Sequence, residues 1–174
     1  MRADHDPTPE TGVLIRPARP DEYDAVAELT VQVYVGDGYV PEDDDYAAEL
    51  ADVAHRATAA QVLVAVHDGR IAGSLTVAEP GTTYAEIARP GELEFRMLAV
   101  AKQARGHGVG TALVRAVIEE ARAGGYEAVA LTTMATMFDA HSIYERLGFV
   151  AVPERNWMTH DGLRLFVMRL PLVS

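Results

Sequence analysis

The chain has 174 residues and a formal net charge of −11, with 26 acidic side chains against 15 basic ones and no cysteine. That length fits one domain with a real core, and so acidic a chain lacks the basic face that a nucleic-acid partner requires. Without cysteine there is no disulfide and no thiol nucleophile, which points to a cytoplasmic setting, and no apolar run of about eighteen residues predicts a membrane span.

Residues 1–12 are polar, lack the apolar stretch of a secretory signal, and read as a disordered tail before a single domain over 13–174. Residues 13–16 form a short strand that Pro17 and Pro20 close. Residues 21–35 read as a helix with Tyr23, Val26, Leu29 and Val33 on one side, broken at Gly36-Asp37-Gly38. An acidic stretch, residues 42–45, precedes a second helix over 46–56. Residues 62–67 and 71–78 are strands joined across Asp68-Gly69, a tight-hairpin dipeptide. A strand over 93–100, a glycine-rich turn, a strongly periodic helix over 111–123 and a strand over 128–132 follow. Ala140, Ile143, Tyr144 and Leu147 then recur at helical spacing and share one face of a short helix. Gly148 stands where a helix end takes a left-handed residue, and Phe149 can fold back over it. A strand over 149–152, Met158-Thr159-His160, the Asp161-Gly162 turn and a strand over 163–170 complete the chain. An early hairpin and a late strand–helix–strand unit make an α/β or α+β domain on a mixed sheet.

The chemistry concentrates at Arg105-Gly106-His107-Gly108-Val109-Gly110-Thr111. Glycine at alternate positions permits sharp turning and removes the β-carbons that hold a ligand off. The helix that follows starts with N–H groups lacking intrahelical partners, at the positive end of its dipole, so the segment suits phosphate. Neither common phosphate spacing fits: no Lys follows the glycines, and Thr111 or Leu113 takes the third glycine slot of a dinucleotide fingerprint. What fits is Arg/Gln-x-x-Gly-x-Gly/Ala, through Arg105, Gly108 and Gly110. A later Ala-x-x-x-Tyr-x-x-x-Gly-Phe pattern runs through Ala140, Tyr144, Gly148 and Phe149. On these two motifs the chain resembles the GNAT superfamily of acyl-CoA N-acyltransferases over about residues 13–170. It departs from the family at Met137, where an Asn often contacts the cofactor.

The resemblance implies a GNAT fold: a mixed central sheet of about six to seven strands, helices on both faces, and a splayed strand pair that holds coenzyme A. It implies acetyl-CoA as co-substrate and direct transfer of acetyl to a primary amine of a small molecule or peptide, and it leaves a homodimer open. A non-catalytic acyl-CoA-binding regulatory module on the same fold is the alternative. Backbone groups of Leu98, Ala99 and Val100 would pair with the pantetheine arm, with the N–H near Leu98 facing the thioester oxygen. Arg105, Gly106, His107, Gly108, Val109, Gly110 and Thr111 would hold the pyrophosphate, and Tyr144 would protonate the leaving thiolate.

Some family members place a general-base Glu six residues before the position matched by Val100, which is Glu94 here; Glu92 is the reserve, and other members deprotonate through water. The even interval from Glu94 to Leu98 puts both side chains on one face of a regular strand. Glu94 also suits a pair with Arg96 or a solvated sheet edge. The acceptor would enter beside residues 36–45 and 153–160, where Asp43, Asp44, Asp45 and Trp157 place carboxylates near an aromatic ring, a combination suited to a cationic amine. His55, His67, His107, His141 and His160 lack metal-ligand spacing, so no metal is expected.

Overall fold

A computed structural model describes residues 12–172. The tail expected over residues 1–12 lies outside them except for Gly12, whose carbonyl oxygen is 3.1 Å from His67 Nδ1.

Among the described residues, eight strands form one sheet: β1 (Val13–Pro17), β2 (Gln61–His67), β3 (Arg70–Ala78), β4 (Glu92–Val100), β5 (Ala128–Met134), β6 (Val150–Ala151), β7 (Trp157–Met158) and β8 (Arg164–Pro171). Their order is β1-β2-β3-β4-β5-β8-β6, with β7 also on β8. The count exceeds the expected six to seven because two-residue strands, β6 and β7, both pair with β8. Pairing is antiparallel except between β4 and β5, which are parallel. A parallel pair needs a crossover, and α4 (Val109–Ala123) supplies it.

Helices cover both faces. On one side α4 and α5 (Phe138–Arg146) pack on a core that includes Leu63, Leu75, Leu93, Phe95 and Leu131. On the other, α1 (Tyr23–Gly36), α2 (Asp45–Ala51) and α3 (Val53–Ala59) cover two smaller clusters. One contains Val26, Val53, Val62 and Val64; the other contains Tyr34, Leu50, Met97 and Ala99. Strand side chains alternate between the layers, as when Val62 and Val64 face one and Leu63 and Ala65 the other. The single helix expected over 46–56 is broken at Asp52, whose carboxylate accepts the His55 N–H and caps a new helix. The Asp68-Gly69 hairpin forms as expected, with φ of 51° and 73°.

Two irregularities in β4 shape the centre of the molecule. Ser74 pairs with Ala99 but Thr76 with Arg96, so β4 carries one extra residue, a bulge at Met97 with φ of 59°. The β4–β5 ladder also runs only from Glu92–Ala128 to Phe95–Leu131. Beyond Phe95 the strands diverge, giving the expected fork between residues 96–100 and 132–134.

Candidate active site

The glycine turn delivers the backbone geometry that its sequence called for. Gly106 and Gly108 take φ of 83° and 77°, and a β-carbon at either would meet nothing within 4 Å. Gly108 is the N-cap of α4, and no side chain hydrogen-bonds across that cap. The first amides of α4 therefore present their hydrogens at one end of a cavity of about 650 Å³. Leu98, Val100, Arg105, Gly106, Gly108, Val109, Gly110 and Thr111 all line it. His107 does not: its exposed ring stacks on His67 at 5.7 Å between centroids. The Ala99 side chain is buried against the opposite cluster, which leaves only its backbone for the cleft side. Gly110 serves packing: a β-carbon there would lie 2.8 Å from Ile143 Cδ1, so its glycine is required by the meeting of α4 and α5. Arg105 reaches across the mouth to Asp37 at 2.6 Å.

Tyr144 is buried at the edge of the cleft, directly after Ile143, which lines it. It is 4% exposed, with its ring 5.8 Å from both Phe95 and Phe149. Its placement follows from the end of α5. The Phe149 N–H bonds the Tyr144 carbonyl at 3.0 Å and the Gly148 N–H bonds that of Glu145 at 3.1 Å, with Gly148 at φ of 98°. This paired 6→1 and 5→2 closure folds Phe149 back onto Tyr144. Burial pushes the Tyr144 phenol well above its ordinary value. Tyr34, which lines the cavity, is also pushed up by burial and further by the hydroxyls of Tyr46 and Tyr144.

The two glutamates offered as bases are both engaged elsewhere. Glu94 is 0% exposed, and its carboxylate accepts N–H groups from Glu86, Ile87 and Ala88 at 2.9 to 3.2 Å. A carboxylate clamped by three backbone amides anchors the loop between β3 and β4. Nor does Glu94 share a face with Leu98, because the bulge at Met97 breaks the alternation: Leu98 packs with Leu93 and Phe95, while Met97 and Ala99 face the α1 side. Glu92 takes a bidentate grip from Arg155 at 2.8 Å, with Arg169 Nε at 2.7 Å and the Arg89 N–H at 3.0 Å. Burial raises its carboxyl, but the bonds from Arg155, Arg89 and Arg169 prevail and hold it at about 2. So weak a base is a poor acceptor for an ammonium proton.

Of the acceptor-side residues, Asp43, Asp44 and Asp45 lie outside the cavity lining. Asp44 is the N-cap of α2, its Oδ1 accepting the Tyr46 N–H at 2.8 Å. Trp157 on β7 opposes Leu165, which opposes Met134 of β5, and its buried Nε1 has no partner among the described residues. Sequence reasoning missed Tyr34, Tyr39 and Arg146 in the cleft. Arg146 makes no ion pair among the described residues, and its place two residues after Tyr144 was the available signal. It also missed the Arg96 cluster: Arg96 donates to the Tyr84 carbonyl at 3.0 Å, pairs closely with Glu86, and lies 3.8 Å from Glu49.

Comparison with known proteins agrees with this geometry. The profile of the acetyltransferase (GNAT) family matches residues 23–149. The chain is similar to N-acetylaspartate synthetase of Danio rerio, 42% identical over 71 residues that make up 41% of this chain and 25% of that protein. It is also similar to N-acetylaspartate synthetase of Xenopus tropicalis, 38% identical over 109 residues, 59% of this chain and 38% of that one. The chain thus spans well under half the length of these relatives. Among solved structures, YncA of Salmonella typhimurium with its cofactor acetyl-CoA superposes with a TM-score of 0.70 at 21% identity, covering 94% of this chain and 95% of that one.

Proposed function

We propose that this chain, which belongs to the acetyltransferase (GNAT) family, transfers an acetyl group from acetyl-CoA to a primary amine of a small molecule or peptide. The observation that carries the reading is the run of uncapped α4 amides opening onto a cavity that continues along the forked edge of β4. That cradle fits the cofactor's chemistry: bare amides beside the open space at Gly106 and Gly108 suit a pyrophosphate, and Arg105 and Arg146 add positive charge. Bound acetyl-CoA supplies the acetyl group as an activated thioester.

The chain's own residues do the rest. The β4 edge past Phe95 offers unpaired backbone donors and acceptors along Leu98, Ala99 and Val100, to which an extended amide-bearing arm can bond as a strand would. Donors fixed in that edge do not need to reorganise as charge develops on a carbonyl oxygen. Tyr144, kept protonated by burial, acts as a hydrogen donor to the departing sulfur. The apolar rings of Phe95 and Phe149 behind it exclude water and hold the phenol in one rotamer.

The acceptor class follows from the charge of the whole chain, −11, which favours an ammonium over an anion; in the cavity itself Asp37 and Asp139 are matched by Arg105 and Arg146. The test is thiol release from acetyl-CoA with a panel of aspartate, spermidine, kanamycin and an alanyl dipeptide. Turnover with at least one amine is expected. No release above the hydrolysis blank, together with no calorimetric response to acetyl-CoA, would overturn the reading.

A further inference from the structure

A second cavity, of about 490 Å³, shares no lining residue with the cleft. Glu120 on its rim stands well past Gly108 on α4, about 18 Å along the helix from the amides of the cofactor cradle. Its walls come from both layers of the fold. Tyr23 of α1 and Ala57 and Ala59 of α3 supply one side; Glu120 and Tyr126, which follows the end of α4, supply the other. The buried side chains of Val62, Val77 and Leu93 give it an apolar floor. A concave space of this volume, apolar below with a few polar groups converging on it, has the form of a small-molecule site.

The charges in this lining have one sign. Glu79 and Glu120 belong to it, and no arginine, lysine or histidine does. The Gln61 amide, with its nitrogen toward Glu120, donates to the two carboxylate oxygens at 2.6 and 3.0 Å, and the Tyr126 hydroxyl meets Glu79. Each carboxylate is thus tied to a wall by a neutral group, which fixes its position and leaves its charge uncancelled. Cations on the surrounding elements are turned elsewhere. Arg16 of β1 pairs with Glu22, and Arg56 of α3 donates to Thr76 and to the Glu49 and Leu50 carbonyls. Arg122 comes two residues after Glu120, on a different side of α4. Burial raises the Glu120 carboxyl, and Glu79 raises it further.

We propose that this cavity is a second ligand site, taking an organic ammonium whose charge is received by Glu79 and Glu120 and whose alkyl stem lies over Val62, Val77 and Leu93 beside the rings of Tyr23 and Tyr126. A neutral ligand of the same shape gains from the floor alone, and a bare cation from the rim alone. Only a ligand with both parts uses the whole cavity, and the aromatic rings favour a cation beside them. No bond is made or broken here. The cavity lies out of reach of a thioester in the cleft, so an amine held in it stays unchanged. The proposal goes beyond the acetyltransferase reading and stands whether or not that reading does.

Titration of the full chain with n-butylammonium chloride, followed by backbone amide NMR shifts, tests this against two partial probes, ammonium chloride and n-butanol. The amides of Gln61, Glu79 and Tyr126 should shift and saturate with n-butylammonium, at an apparent Kd about tenfold below that of either partial probe. Glu79→Gln combined with Glu120→Gln should weaken the binding about tenfold, as two solvent-accessible ion pairs allow. Its melting temperature and its thiol release with the best panel amine should stay at wild-type values. Saturable shifts confined to cleft residues such as Tyr34 and Asp139 would overturn the proposal, as would equal responses to all three probes. A double variant that binds n-butylammonium as tightly as the wild type would do the same. The three-probe comparison uses the wild type alone, so it decides the matter even if the double variant is unstable. A wild type that shows the selective shifts but releases no thiol would keep this site and remove the acetyltransferase reading.

Discussion

Gly110 on α4 and Ile143 on α5 stand so close that a β-carbon on the glycine would lie 2.8 Å from Ile143 Cδ1. The second glycine of the phosphate motif thus sets the distance between the helix that opens the cofactor cradle and the helix that carries Tyr144. Gly110→Ala should cost about 1–3 kcal/mol, the usual range for an overpacked contact. Ile143→Val should recover part of that loss, because it shortens the side chain on the other side. Chemical denaturation of the two single variants and the double variant checks this, with additive losses as the contrary result.

Gly108 should respond differently. A β-carbon there has open space, but φ of 77° is a left-handed conformation that most residues avoid. Gly108→Ala should cost about 1–2 kcal/mol through the backbone, and no substitution at Ile143 should recover it. Its affinity for coenzyme A, measured by calorimetry, should fall more than that of Gly110→Ala, since the new methyl enters the space in front of the α4 amides.

Tyr144→Phe should retain the packing against Phe95 and Phe149 and lower turnover by about 10²-fold. Burial keeps the phenol protonated far into the alkaline range. The wild-type rate should therefore show no decline attributable to Tyr144 below about pH 10. Unchanged turnover in the variant, when chemistry limits the rate, would make Tyr144 a packing residue.

Glu92 links β4 to β8 and to the segment before β7 through Arg155 and Arg169, and its folded-state pKa of about 2 lies below its unfolded value. A depressed carboxyl contributes stability above the unfolded pKa and loses it as pH falls toward the folded one. The window here runs from about 4.5 down to about 2, and the contribution is on the order of 3 kcal/mol. Urea denaturation midpoints should drop through that window, and Glu92→Gln should flatten the drop while lowering stability at neutral pH.

Asp44 separates the two roles considered for the acidic stretch. As an N-cap it should tolerate Asn, which caps equally well, whereas Asp44→Ala should cost about 1 kcal/mol. Neither change should raise the KM of the amine, since Asp44 lies outside the cavity lining. A several-fold rise in that KM with Asp44→Asn would restore the recruiting role.

The parts of this molecule that sequence made legible are those set by neighbours in the chain. Asp68-Gly69 turns where its backbone preferences say, Gly148 closes α5, and the glycine turn feeds α4. What escaped depends on contacts between distant segments. Arg155 and Glu92 are 63 positions apart, and nothing near Glu92 in the sequence announces that two arginines will take it. Glu94 pointed correctly to a special carboxylate on β4, but its partners are amides of a loop that has no regular pattern. Met97 is the instructive case. A left-handed φ usually announces itself with glycine or asparagine, and methionine carries no such signal. The even spacing from Glu94 to Leu98 therefore led to the wrong face.

That extra residue at Met97 acts like a phase slip in a periodic signal. On one side of it the strand beats in time with the loop anchors, Glu94 and Arg96; on the other it beats in time with the cleft wall, Leu98 and Val100. Excising one residue at the bulge would restore a uniform rhythm to β4 and turn every side chain on one side of the cut to the opposite layer. The strand length, the composition and both sequence motifs would survive almost untouched, yet the loop anchors and the cleft wall could no longer both be in register. In β4, one residue of surplus length is what allows a single strand to serve two surfaces.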